Sequence, residues 1–145
     1  MVSPLADQQA IIDTFLSFWR SEEGRLYNQS RYHAVSKVRP TFSLDDVIAD
    51  ISAQEGQPPI IVATSAKMHT HGKIIDYHNQ RIVWQHNRPV LLLFGTGQGL
   101  CDELLAKCDY LLVPVEGMTD YNHLSVRSAI AIVLDRWLGL QTRLE

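Results

Sequence analysis

Three short runs of nearly unbroken apolar residues constrain this chain more than any other feature. They are Ile60–Ala63 (I-I-V-A), Val90–Phe94 (V-L-L-L-F) and Tyr110–Val115 (Y-L-L-V-P-V). None alternates polar with apolar, so none reads as a strand with one wet face. Continuous apolar runs bounded by turn signals read as strands buried on both faces, the mark of a parallel sheet covered by helices. Pro58–Pro59 and Arg88–Pro89 give the first two runs sharp starts. The last two are separated by βαβ spacing, with Leu100–Lys107 as the crossover helix.

The flanking segments have helical periods. Ala6–Trp19 places Ile11, Ile12, Phe15, Leu16 and Trp19 at spacings of three and four, after Pro4. Ser43–Ala53 has a serine N-cap, acids in the first turn, and a stripe of Leu44, Val47, Ile48 and Ile51. A last helix is predicted from about Leu124 to Leu138, with Asn122 as cap and Gly139 at its end. The expectation is a three-layer α/β sandwich with a mostly parallel sheet. Val2–Ser3–Pro4 reads as the tail of a strand.

Composition narrows the functional classes. A length of 145 residues with 46% hydrophobic and 20% charged residues suits one globular domain, 1–145. The net charge of −3 does not describe a generic polyanion binder. The charge is uneven, however: Arg20 to Arg88 holds nine basic and seven acidic residues and five of the six histidines. No apolar run approaches the ~18 residues of a membrane span, and no secretory signal is visible. Cys101 and Cys108 read as reduced structural thiols on one helix, as in a cytoplasmic protein. No Cys/His/Asp set has zinc spacing, so no metal is expected.

In parallel sheets ligands sit beyond the carboxyl ends of the strands. Three loops leave those ends: Thr64–Lys67, Gly95–Gly99 and Glu116–His123. The glycine loop is G-x-G-x-G, one residue short of a dinucleotide turn, and it follows a late strand. A Rossmann-like nucleotide site and a tight packing turn both remain open for it.

The three loops also carry a resemblance. V-A-T-S-A-K at Val62–Lys67, R-P-V-L-L-L-F-G-T-G-Q-G-L at Arg88–Leu100 and D-Y-N-H-L-S-V-R-S-A at Asp120–Ala129 stand in order at consistent spacing. Together they resemble the SPOUT (trefoil-knotted) RNA methyltransferases, in particular a bacterial AdoMet-dependent subgroup. The likeness extends weakly back to Ser3–Pro4–Leu5 and Gln8–Gln9. It implies a C-terminal deep trefoil knot, a rare exception to the rule that chains do not thread loops. It implies S-adenosyl-L-methionine bound bent in the knot loops, a homodimer, and a tRNA or rRNA nucleotide as acceptor.

Carried onto these positions, the cofactor would meet Thr64, Ser65, Leu93, Gly95, Thr96, Gly97, Gly99, Val113, Val115, Gly117, Leu124 and Ser125. Small residues leave room and expose backbone donors, and the aliphatic ones pack the adenine. Methyl transfer asks mainly for positioning. Glu116, Asn122, His123 and Arg127 are the candidates for catalysis, by proton transfer, by neutralising the sulfonium, or from a helix N-terminus. Members of the subgroup also begin with a strand–helix–strand, bearing a D-x-H-D-x-x-R-type segment, that has no counterpart here. A non-catalytic AdoMet-binding or dimeric interaction module is therefore the alternative reading.

Overall fold

The computed structural model describes residues 1–118 and 123–139. The chain divides into two compact units, Met1–Gly56 and Gln57–Glu145.

The first unit is helical: α1 (Ala6–Arg20), α2 (Glu22–Tyr27), α3 (Gln29–Ser36) and α4 (Leu44–Glu55). Three of these start as side-chain chemistry dictates. Ser21, Asn28 and Ser43 each accept a hydrogen bond from a first-turn N–H, satisfying a donor that the helix cannot. Gly56 ends α4 in the left-handed conformation at φ +72°. Gly24 is buried, and a Cβ there would lie 2.4 Å from the Phe18 carbonyl oxygen, so only glycine lets α2 pack on the end of α1. Val2 makes one lone parallel bridge, to Thr41. Ser3 N–H donates to Thr41 O and Thr41 N–H to Met1 O, both at 2.9 Å. Buried Gln9 clasps the pair, its Nε2 donating to Ser3 O and Thr41 O at 2.9 and 2.6 Å.

The predicted stripe of α1 is only half used. Leu16 and Trp19 are buried, whereas Ile11 and Phe15 are 71% and 60% exposed. The four stripe residues of α4 are half-buried.

The second unit is the α/β part. It holds β1 (Ile60–Thr64), β2 (Ile74–Ile75), α5 (Arg81–Trp84), β3 (Val90–Leu93), α6 (Asp102–Leu105), β4 (Tyr110–Leu112) and α7 (Val126–Leu134), which passes into a π-helical turn at Asp135–Gly139. The sheet order is β2-β4-β1-β3, and every pairing is parallel. The apolar runs are its three longest strands, and both faces are covered as expected. Ile60, Val62, Ile75 and Leu112 pack with Val83, Val133 and Trp137 on one face, while Ala63 and Leu111 pack with Leu105 on the other.

Several expectations are corrected. The third run ends at Leu112 rather than Val115. Pro114 lacks an N–H and cannot extend the ladder, although Val113 N–H still donates to Ile75 O at 2.9 Å. The second run ends at Leu93, one residue before Phe94. The crossover helix shrinks to one turn, Asp102–Leu105. Cys101 and Cys108 therefore do not share a helix face: Cys101 precedes α6, and Cys108 follows it with Sγ donating to Leu104 O at 3.2 Å. α7 starts at Val126, where Ser125 is the cap and accepts from Ser128 N–H. Asn122, the predicted cap, lies outside the described residues. The short β2 and α5 carry too few residues to show a period, and sequence reasoning missed both.

Candidate functional site

The carboxyl ends of β1, β3 and β4 surround a cavity of about 560 Å³, within the ordinary range for small-molecule sites. The chain reaches it by the route the strand order dictates. β1 and β4 lie side by side at the centre, so the loops that follow them emerge together. β3 pairs with β1 from the other side, bringing the glycine loop to the same rim.

Thr64 fastens two of these ends, its Oγ1 donating to Leu93 O at 2.9 Å. Ser65 Oγ accepts from Lys67 N–H at 3.0 Å and turns the chain after β1. In the glycine loop, Gly99 N–H donates to Thr96 O at 3.0 Å. Gly97 and Gly99 have φ of +57° and +90°, conformations that side chains disfavour. Gly95 is constrained by space: a Cβ there would lie 2.5 Å from the carbonyl carbon of Gly99. The three glycines thus fold the loop back on itself, and the packing-turn reading of the motif holds for its shape.

Nine of the sequence candidates line the cavity together: Thr64, Ser65, Gly95, Gly97, Gly99, Val113, Val115, His123 and Leu124. Leu93, Thr96, Glu116, Gly117, Ser125 and Arg127 are not among its lining residues. Leu93 packs instead beside Ala63, Leu105 and Leu111. Ser125 spends its hydroxyl on the α7 cap. Glu116, Gly117 and Arg127 are exposed. Asn122 lies outside the described residues.

The structure adds lining residues that motif reading did not assign. Phe94 stands next to the glycine loop, and Leu100, Asp102 and Leu105 follow it. Val126, Ala129 and Val133 present one face of α7, a spacing of three and four that the helical period could have found. Lys67 closes the first motif, whereas His69 and Tyr77 come from the rest of the excursion between β1 and α5 and lie outside every motif. Nε2 of His69 is buried without a hydrogen-bond partner among the described residues. Tyr77 is buried, with the Arg136 guanidinium carbon 5.1 Å from its ring centre. Burial pushes its phenol pKa up, and Arg136 offsets only part of this.

The wall is therefore chemically mixed. Phe94, Val113, Val115 and Leu124 offer apolar surface, while Lys67, His69, Asp102 and His123 offer charge and hydrogen bonds. A parallel α/β unit with such a cavity at its strand ends has the arrangement in which sheets of this class offer a loop-built site.

Comparison with known proteins defines the family. The chain belongs to the SAM-dependent RNA methyltransferase family, whose model matches residues 1–139. This agrees with the resemblance carried by the three loop motifs. An uncharacterized protein of Aquifex aeolicus is 41% identical over 94% of this chain. A tRNA (guanine-N(1)-)-methyltransferase of Nitratidesulfovibrio vulgaris is 40% identical over 96% of it. The chain spans 66% of the length of the first and 32% of the second. Among solved structures, a "probable methylase family protein" of Haemophilus influenzae Rd KW20 superposes with a TM-score of 0.60. It is 22% identical, over 86% of this chain and 54% of that one. TrmJ of Z. mobilis ZM4 also gives 0.60, at 15% identity over 82% of this chain and 51% of that one. Both likenesses establish the α/β fold.

Proposed function

We propose that this protein transfers a methyl group from S-adenosyl-L-methionine to a nucleotide of tRNA or rRNA. The observation that carries the reading is the single cavity onto which all three motif-bearing loops open. Its chemistry fits the cofactor: apolar walls suit a purine, and the polar residues suit a ribose and an amino-acid end. The orphaned Nε2 of His69 is a polar group at that wall with bonding capacity left over. When bound, the cofactor supplies a methyl group already activated on a sulfonium.

The residues of the chain then have modest tasks. Gly95, Gly97 and Gly99 keep side chains out of the cavity and leave backbone groups facing it. Phe94, Val113, Val115 and Leu124 exclude water and hold the purine. His123, at the cavity, is the foremost candidate to accept a proton from the acceptor nucleotide. Glu116 and Arg127, exposed and not among the lining residues, and Asn122, outside the described residues, are secondary candidates.

The SPOUT-type knot belongs to this proposal. It rests on the three motifs, and the place of β4, the last strand in sequence, between β1 and β2 accords with it without itself making a knot. Homodimerisation rests on the family resemblance, and a cytoplasmic location on the reading of Cys101 and Cys108 as reduced thiols. A second reading, a cofactor-binding module without activity of its own, is favoured by one observation: Glu116 and Arg127, two of the candidates for proton transfer, are exposed and not among the lining residues of the cavity.

Calorimetric titration with S-adenosyl-L-methionine and S-adenosylhomocysteine tests the cavity assignment. Saturable binding of both, not competed by NAD, is expected; no binding by the folded protein refutes it. A methylation assay on bulk tRNA and rRNA separates the two readings: methylation by this chain excludes the second.

A further inference from the structure

The N-terminal unit carries an aromatic and cationic surface that methyl transfer does not use. Four rings gather at the end of α1. Phe15, Phe18 and Tyr27 lie 6.4, 5.1 and 6.0 Å, centre to centre, from the indole of Trp19. Trp19 is buried, but Phe15, Phe18 and Tyr27 are 60%, 49% and 78% exposed. Large aromatic rings left in water at this density mark a contact surface.

Charge indicates what that contact is. Between Arg20 and Arg39 the chain has five basic residues and His33 against two acids, Glu22 and Glu23. Arg31 is exposed and places its guanidinium carbon 4.6 Å from the centre of the Trp19 ring. It thus sits within the ring cluster, charged and planar. Glu22 is occupied by Arg25, whose Nε donates to it at 2.9 Å. Glu23 bonds the backbone and side chain at the start of α2. Both acids are therefore engaged within α2, while Arg31 stands at the rings. An apolar protein partner would meet this cation unpaired. A polyanion with flat faces satisfies both features, because bases stack on rings and phosphates meet cations.

We infer that the Phe18–Tyr27–Arg31 face of the N-terminal unit is a docking platform for a single-stranded, unstacked stretch of RNA. The inference rests on RNA being the acceptor and adds a recognition surface outside the cavity. Duplex RNA is a poor ligand for such a face, because its bases are already stacked and its flat surfaces closed.

The test is fluorescence anisotropy on the full chain with a labelled oligouridylate of about 12 nucleotides and a duplex of equal length. Single-strand binding tighter than duplex binding is expected. Tyr27→Ala weakens it at least fivefold, as loss of one stacked base requires, and Tyr27→Phe restores it. Arg31→Gln weakens it and flattens the dependence of log affinity on log salt by about 0.7 for one lost phosphate contact. Both side chains are exposed, and circular dichroism of each variant verifies folding. No single-strand binding, equal duplex binding, or unchanged affinity in both variants overturns the platform. So does loss of self-association in sedimentation with RNA affinity unchanged, because the face would then be a protein contact. S-adenosyl-L-methionine titration of the same samples keeps the two readings distinct. Normal cofactor binding with failed RNA binding removes the platform only, and failed cofactor binding by the parent chain removes the cavity assignment.

Discussion

Replacing Gly95 by alanine tests the claim that the glycine loop is shaped by close backbone contact. A Cβ at this position would stand 2.5 Å from the carbonyl carbon of Gly99, 2.8 Å from its Cα and 2.8 Å from Leu100 N. All three are backbone atoms, so no side chain can swing away. The loop must open, breaking the 3.0 Å bond from Gly99 N–H to Thr96 O or straining what remains. Overpacking of this kind costs about 1–3 kcal/mol. The opened loop also moves Gly97 and Gly99, both at the cavity wall. Gly95→Ala is therefore expected to lower unfolding free energy by about 2 kcal/mol. It is expected to weaken S-adenosyl-L-methionine at least tenfold.

Two controls accompany it. Gly97→Ala meets no described atom within 4 Å, but φ is +57°, so left-handed strain of about 1–2 kcal/mol applies. Gly117→Ala meets no described atom within 4 Å and has no positive φ, so its stability should not change. Urea denaturation and calorimetric titration of the three variants supply the measurements. If Gly95→Ala matches Gly117→Ala in both, the close-contact reasoning is wrong.

Ser43→Ala removes the side chain that accepts from Asp46 N–H at 3.1 Å, and should cost about 1 kcal/mol in denaturant titration. Burial raises the Tyr77 pKa, so the folded state binds the phenolic proton more tightly than the unfolded chain does. The associated stability is present below the unfolded value of about 10 and is lost as pH rises through the folded one. Unfolding free energy should therefore decline in alkali, and Tyr77→Phe should reduce that decline. Burial, aided by Asp109, raises the Cys108 thiol pKa, while Cys101 is exposed. Alkylation at pH 8 followed by mass mapping should find Cys101 modified first; faster reaction at Cys108 would contradict the assigned burial.

Much of the second unit was legible because its cues are local. An apolar run that starts sharply after a proline has few places to go, so β1 and β3 lie within one residue of their predicted ends. Pro114 is local too: without an N–H it marks the end of the strand, and apolar Val115 beyond it takes no part in the ladder. The cofactor loops were legible as ordered motifs, and nine of their residues do meet at one cavity. β2, at two residues, and α5, at four, are held by the neighbours they pack on. Val83 and Ile75 are buried in the central cluster, a fact no window of sequence contains.

The sequence by itself determined that a parallel sheet is buried between helices, and which loops stand at its carboxyl ends. Both follow from periodicity and chain direction, which are properties of neighbouring residues. Tertiary structure alone decided the order of the strands, because β4 enters between β1 and β2 through pairings far apart in the chain. It also decided which polar groups face the cavity, bringing Lys67, His69 and Tyr77 in while leaving Glu116 and Arg127 off its wall. The exposure of Phe15 and Tyr27 was decided the same way. A helical stripe shows which residues share a face, and only the packed neighbours determine whether that face is covered.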